Sequence, residues 1–494
     1  MRNKNPNDAL FRLIKSMGQG EKRFFNLYCN RFASSKGKIY LKLFRAIDKQ
    51  EEYNEDIFKK EFDSGTRRFH LIKNYLYNLL MESLVKYYSM NNENNLNDKL
   101  IEADVLDDKR LYDLYEILLH KIRATALEKE DFLIAVETIR REKILLINKS
   151  GYVKVLKEMA KLEDHYLELY KEVEKYRELC NEINSYSRKY TAITDKVFTE
   201  FSKMPIFNDA SLAHSNTATF FYYQSRGSYY LTIGDFKKSR NDFHKAVQLF
   251  ESNLLFRKHN PRIFVTAAHN YINSSLILRE YDEALESIRK IIFFIAEYPE
   301  LMKRRALGFH IQELIIYKDT GKKEQAMRLI TDVSKEIENK TLSVMNKFDE
   351  YLFYVNSAFV YLEFEEYKMC LRFISKLLNS DAEKVSIKYY YNALILQLIS
   401  LYELEDYEFL EYRLKSFYRF LLKKGPIGKI ETELMEFFGK ILKGTYELEQ
   451  KKLKDLFIKL KDSIEKALKD SANSGVLISY TDFSGWLQRK IEKT

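Results

Sequence analysis

Two stretches decide how this chain is read: YYLTIGDFKKSRNDFHKAV (229–247) and SLILREYDEALESIRKI (275–291). Each runs an apolar helix into a short polar turn. An aromatic residue follows the turn, a small residue comes three positions later, and a second apolar helix begins. The same phrase returns in IYKDTGKKEQAMRLITDV (316–333), VYLEFEEYKMCLRFISKLL (360–378) and LYELEDYEFLEYRLKSF (401–417). A helix pair of this kind cannot bury its apolar face alone, so recurrence in register predicts stacked pairs sharing one continuous core.

Aligned, the five copies give columns with physical meaning. The turn column holds Gly234, Arg279, Gly321, Glu365 and Glu405. Two residues on come Phe236, Tyr281, Lys323, Tyr367 and Tyr407, expected to plug the gap between helices. Three further on, Ser239, Ala284, Ala326, Cys370 and Leu410 are mostly small, which lets the second helix approach the first closely. Phe243, Ile288, Ile330, Ile374 and Leu414, then Ala246, Ile291, Val333, Leu377 and Phe417, fill the inner face of that second helix.

These columns resemble the tetratricopeptide-repeat family, most closely in GDFKKSRNDFHKA and REYDEALESIRKI, over about residues 217–424. Two departures stand out. Copies recur at about 40–45 residues against about 34 in the family, and Ser239, Cys370 and Leu410 replace the usual alanine. The resemblance implies an all-α fold, an α-solenoid of antiparallel helix hairpins with an N-terminal helical domain. It also implies a concave groove lined by the first helix of each hairpin. On that basis Gln224, Ser228, His269, Asn270, Asn273, Gln312, Lys318, Asn356 and Asn392 are the expected partner-binding residues. Their amides would bond an extended peptide's backbone, and Lys318 would meet a carboxylate.

Composition agrees with long helices. Glycine (15) and proline (5) are too scarce for the turns of a β-rich chain, while 46% hydrophobic content supplies a core. Aromatic residues at 14% read as gap fillers between helices. Cys29, Cys180 and Cys370 are far apart and form no CxxC pair, which argues against a disulfide framework or structural zinc and suits a reducing compartment. The first residues lack the apolar stretch of a signal peptide, and the longest apolar run, 291–296, is too short to span a bilayer. A cytoplasmic location is expected. HExxH, GxSxG and GxxxxGK[ST] motifs are absent, and the eight histidines are scattered. No catalytic residue, metal site or cofactor is expected.

The chain divides into a basic helical domain (1–90), a long-helix region (91–205), the five repeats (206–424) and capping helices (425–494). Residues 1–90 carry 18 Lys+Arg against 10 Asp+Glu, so they hold +8 of the net charge of +10. Within them, a short helix over 55–62, the turn Asp63-Ser64-Gly65 and a long helix from Thr66 have helix-turn-helix proportions. Arg67, Arg68, His70 and Lys73 would then face bases, and Lys22, Arg23, Lys36, Lys38 and Lys42 phosphates. The main functional expectation is a non-enzymatic scaffold for a protein or peptide ligand. The alternative is a DNA-binding transcription regulator whose repeats sense a partner. Between 152 and 190, apolar residues alternate spacings of four and three, a seam for packing within the chain or for a homodimer.

Overall fold

The computed structural model describes residues 9–31, 35–51, 54, 66–90, 95–147, 152–187, 196–339, 347–379, 387–424, 429–444, 450–469 and 484–493. The described residues are helical and contain no strand. They form two compact units, Met1–Leu127 with Asp131–Tyr166, and Glu128–Glu130 with Leu167–Thr494.

The first unit begins with α1 (Ala9–Ser16), α2 (Gln19–Arg31), α3 (Ser35–Lys49) and α4 (Thr66–Met90). Ile14, Phe25, Phe44, Phe69 and Leu80 build their shared core. The short helix expected over 55–62 and its turn lie outside the described residues. A second cluster joins α5 (Leu96–Asp108), α6 (Tyr112–Glu128), α7 (Phe132–Ile147) and the start of α8 (Val153–Ser187) through Ala103, Leu119, Ile122, Ala135 and Tyr166. The C-terminal half of the seam on α8 turns inward, with Val173, Tyr176, Cys180 and Ile183 buried, whereas Val155 is exposed and Met159, Leu162 and Leu169 are half-buried.

The second unit continues through the short helices α9 (Lys196–Glu200) and α10 (Pro205–Asn208) into the repeats. The hairpins begin with α11 (Asn216–Thr232) and α12 (Phe236–Ser252). A short helix α13 (Leu254–His259) leads to α14 (Pro261–Ile277) and α15 (Tyr281–Ala296). Next come α16 (Pro299–Asp319) with α17 (Lys323–Glu338), α18 (Lys347–Glu363) with α19 (Tyr367–Leu378), and α20 (Ile387–Glu403) with α21 (Tyr407–Lys424). Each hairpin packs its two helices together. The first helices also pack on one another, α14 on α16, α16 on α18 and α18 on α20.

One turn geometry repeats. Gly234, Arg279, Gly321, Glu365 and Glu405 all have left-handed φ, between 58° and 82°. The next residue's N–H reaches back to the carbonyl five positions earlier: Asp235 to Tyr230, Glu280 to Ser275, Lys322 to Tyr317, Glu366 to Tyr361 and Asp406 to Leu401, at 2.8–3.1 Å. This is the Schellman closure of a helix C-terminus. The residue that makes it then caps the next helix. Its carbonyl accepts the N–H of Ser239, Ala284, Ala326, Cys370 or Leu410, at 2.9–3.1 Å. The small-residue column is thus fixed one turn into the second helix, and all five of its members are 0% exposed.

The same closure occurs twice more, at Arg110 (φ 61°) between α5 and α6 and at Glu130 (φ 55°) between α6 and α7. Leu111 and Asp131 make the back-bonds, and Tyr115 and Ala135 take the small-residue position. The sequence reading missed these two.

Behind the turns, the two apolar columns from Phe243 to Phe417 are all buried. The aromatic column is less uniform: Tyr281, Tyr367 and Tyr407 are half-buried, but Phe236 is 40% exposed. Close approach is tightest in the first hairpin. A Cβ on Gly227 would lie 2.5 Å from the Phe243 ring, and the Ser239 hydroxyl donates to the Gly227 carbonyl at 2.8 Å.

The far end is covered by α22 (Lys429–Gly444), α23 (Gln450–Lys469) and α24 (Ser484–Lys493). Trp486 is 1% exposed, edge-on to Tyr402, Phe437 and Phe457, and its indole N–H donates to Glu403 at 2.6 Å. Arg489 pairs with Glu363 and Lys493 with Glu365, so α24 is a docked helix rather than a frayed end. Residues 425–428, where the capping helices were expected to begin, lie outside the described residues.

A non-glycine residue held at left-handed φ costs roughly 1 kcal/mol relative to glycine. Arg279→Gly should therefore raise the midpoint of chemical denaturation and Gly234→Ala should lower it, each by an amount equivalent to ~1 kcal/mol. Gly227→Ala should cost more, about 1–3 kcal/mol, because the Phe243 ring must move. Unchanged midpoints for all three would contradict this role for the turns.

Candidate functional site

The residues expected to line a binding groove lie on the first helices, and their register is set by the turns. Nine residues before three of the five turns stand Asn270, Gln312 and Asn356, while Gln224 and His269 stand ten before theirs and Asn392 thirteen before its own. Because the first helices pack side by side, this stripe points largely into the seam between them. Gln224 (4% exposed), Gln312 (3%) and Asn392 (0%) are interior. The Asn270 amide donates to Gln224 Oε1 at 2.6 Å. The Gln312 amide donates to Asn273 Oδ1 at 2.6 Å and to the His269 carbonyl at 3.2 Å. Asn356 donates to the Leu352 carbonyl of its own helix at 2.8 Å. Gln224 with Asn270, and Gln312 with Asn273, thus form a polar ladder between hairpins. It leaves Gln224 Nε2, Gln312 Oε1 and both amide atoms of Asn392 buried without a hydrogen-bond partner among the described residues. Lys318 is also committed, its ammonium 2.8 Å from Asp319. Ser228 is half-buried.

His269 remains at the edge of this ladder, half-buried and edge-on to Phe309 with ring centroids 5.8 Å apart. Burial, and then the positive charge of Arg305, push its pKa down to about 4. Gly308 lies against it, and a Cβ there would make ordinary contact with the imidazole at 3.7 Å. Arg305 is exposed on α16. It also acts on Asp349 of α18, whose carboxyl is raised by burial and lowered by the guanidinium, with burial the larger effect. A neutral imidazole, an exposed guanidinium and a half-buried carboxyl thus come from three successive first helices.

The sequence reading did not single out Arg305 or Asp349. The sequence held no signal for them, since each reads as an ordinary charged residue on a helix face.

On the outer side of α16, Tyr317 donates to Glu313 at 2.6 Å and His310 Nδ1 lies 3.7 Å from it. Burial pushes Glu313 up, but hydrogen bonds from His310 and Tyr317 outweigh it and hold the carboxyl below its usual range.

In the first unit the expected nucleic-acid contacts are dispersed. Lys22 is tied to Asp48 at 2.6 Å. Lys73 is 7% exposed and lies beside the Phe69 ring, on the core-facing stripe of α4, so it is not offered to a ligand. Arg23, Lys42 and His70 are exposed. The side chains of Lys36, Lys38, Arg67 and Arg68 lie outside the described residues.

The three cysteines are buried and unpaired, and burial raises the Cys29 thiol to about 11 and the Cys370 thiol to about 12. No helix among the described residues is long and apolar enough to cross a membrane. The chain matches no protein-family model and no curated protein.

The His269 shift sets a pH dependence. The unfolded chain takes up this proton near pH 6.5, whereas the folded chain resists until about 4. The stabilisation is therefore present above pH 6.5 and is lost as pH falls toward 4. Denaturation midpoints of the wild type and His269→Gln should converge with that loss, and a difference independent of pH would contradict it.

Proposed function

We propose that the protein is a non-enzymatic scaffold that binds a peptide or protein segment along the face of its stacked first helices. In this reading the hairpins form a tetratricopeptide-like α-solenoid, and that face is its concave groove. The observation that carries the reading is the repetition of one turn, one small-residue column and one first-helix seam along the unit. Such an array presents side chains at a regular rise, which suits an extended or helical ligand.

The reading shifts the contact residues from the amides to the groups left outside them. His269, neutral at pH 7, offers a hydrogen bond. Arg305 supplies the positive charge, and Asp349 lies beside it. The amide ladder holds these groups in position and is unsuited to capture a ligand directly, because Gln224, Gln312 and Asn392 are interior.

The +8 charge of residues 1–90, together with the exposed Arg23 and Lys42, favours a second reading, a DNA-binding regulator. Retention of duplex DNA on a filter at low salt, lost at high salt, is its expected signature. No retention at low salt ends it.

For the main reading, displayed random peptides selected on the full chain should yield binders that lose about tenfold in affinity in both His269→Ala and Arg305→Ala, as interface anchors typically do. Helix content and melting of the Arg305 variant should be unchanged. Binders indifferent to both substitutions, or the absence of binders, would contradict the assignment.

A further inference from the structure

The inserted helix α13 and the end of α15 leave a feature that the first-helix face does not use. Phe293 is 78% exposed and Leu254 is 62% exposed, on a chain whose aromatic residues are otherwise largely interior. Both line a groove of about 430 Å³ between α13, α14 and α15. That volume is within the usual range for ligand sites. A single exposed apolar side chain is ordinary, but this one sits in a concavity beside another and beside an unusual cation.

The cation is Arg257. Its guanidinium stacks on the rings of Phe264 and Phe294, with centroids 5.7 and 5.5 Å away. These rings are fixed in turn: Phe264 meets Phe294 edge-on at 4.9 Å, and Phe294 packs on Tyr298 at 5.0 Å. Arg257 is half-buried, yet it has no carboxylate partner among the described residues, and neither has its exposed neighbour Lys258. A stacked guanidinium keeps its in-plane donors available for a bidentate carboxylate. The lining holds Arg257, Lys258 and Lys290 against Glu251 and Glu297. Lys290 is bound to Glu286 at 2.7 Å, which leaves Arg257 and Lys258 as the lining cations without a carboxylate partner among the described residues.

We propose that this groove is a second docking site, taking a partner segment in which a large apolar side chain adjoins an aspartate or glutamate. The apolar side chain covers Phe293 and Leu254, and the carboxylate meets the fork of Arg257, with Lys258 at the rim. The pre-stacked Arg257 makes the site selective for an acidic segment, since a basic one would bring a second cation against an already desolvated charge.

The test uses the full chain and two labelled synthetic peptides, read by fluorescence anisotropy. One has a Phe-Leu pair flanked by Asp and Glu; the other replaces the acids with Lys. The acidic peptide should bind and the basic one should not. Affinity for the acidic peptide should fall about tenfold in Phe293→Ser and again in Lys258→Glu. Both positions are exposed, so melting should be unchanged in these variants, and they keep the test decisive should Arg257→Gln fail to fold. Binding should be unaffected by Arg305→Ala, which separates this groove from the first-helix face. Equal binding of the two peptides would overturn the proposal. So would an affinity unchanged in Phe293→Ser, or binding of phosphatidylserine vesicles with none of the acidic peptide.

Discussion

The structure depends on one hydrogen-bonded turn. A helix ends on a residue at left-handed φ, and the next N–H reaches back to the carbonyl five residues earlier. The same residue's carbonyl opens the following helix. This closes one helix and starts another with almost no connecting chain, so the angle and register of each hairpin are set locally. Two of the five repeat turns use glycine, where the conformation carries no steric cost; Arg279, Glu365 and Glu405 hold it against one. Packing on both sides must supply the difference, as it does for the buried small-residue column.

From that register the rest follows. Fixed turns place the small residues opposite the first helix and the large ones one and two turns later, giving one cluster of buried side chains that extends from Phe220 to Leu487. They also bring the first helices side by side, so polar residues on the facing stripes meet. Gln224 with Asn270, and Gln312 with Asn273, then pair with each other rather than with solvent. A misregistered stack would leave these amides buried and unpaired, at about 1–3 kcal/mol each, so the ladder penalises slipped alternatives as well as stabilising the observed one.

Much of the fold was legible because the repeat carries its signal in spacing. The columns from Ser239 to Leu410 and from Phe243 to Phe417 are interior as read. The turns at Arg110 and Glu130 escaped notice because they stand 20 residues apart and neither uses glycine, while Glu142 occupies the position where the repeats carry an apolar residue. The candidate site was less legible. Helical periodicity shows that Gln312 and Asn392 share a face with other polar residues, but not that a neighbouring first helix covers it. Conversely, Phe293 sits within the apolar run 291–296 and reads as core, yet it is exposed, because only Ile291 and Ile295 of that run point fully inward. Trp486 resisted a reading because its pocket is assembled from Tyr402, Glu403, Phe437 and Phe457, all distant in the sequence.

Amide hydrogen exchange in the native chain tests the central claim most directly. The donors of Asp235, Glu280, Lys322, Glu366 and Asp406 sit at hairpin tips, where unstructured loops would exchange freely. The account predicts that these five are protected to a similar degree as the helices they join. Exchange at the rate of an unfolded peptide at these positions, with the helices still protected, would contradict it.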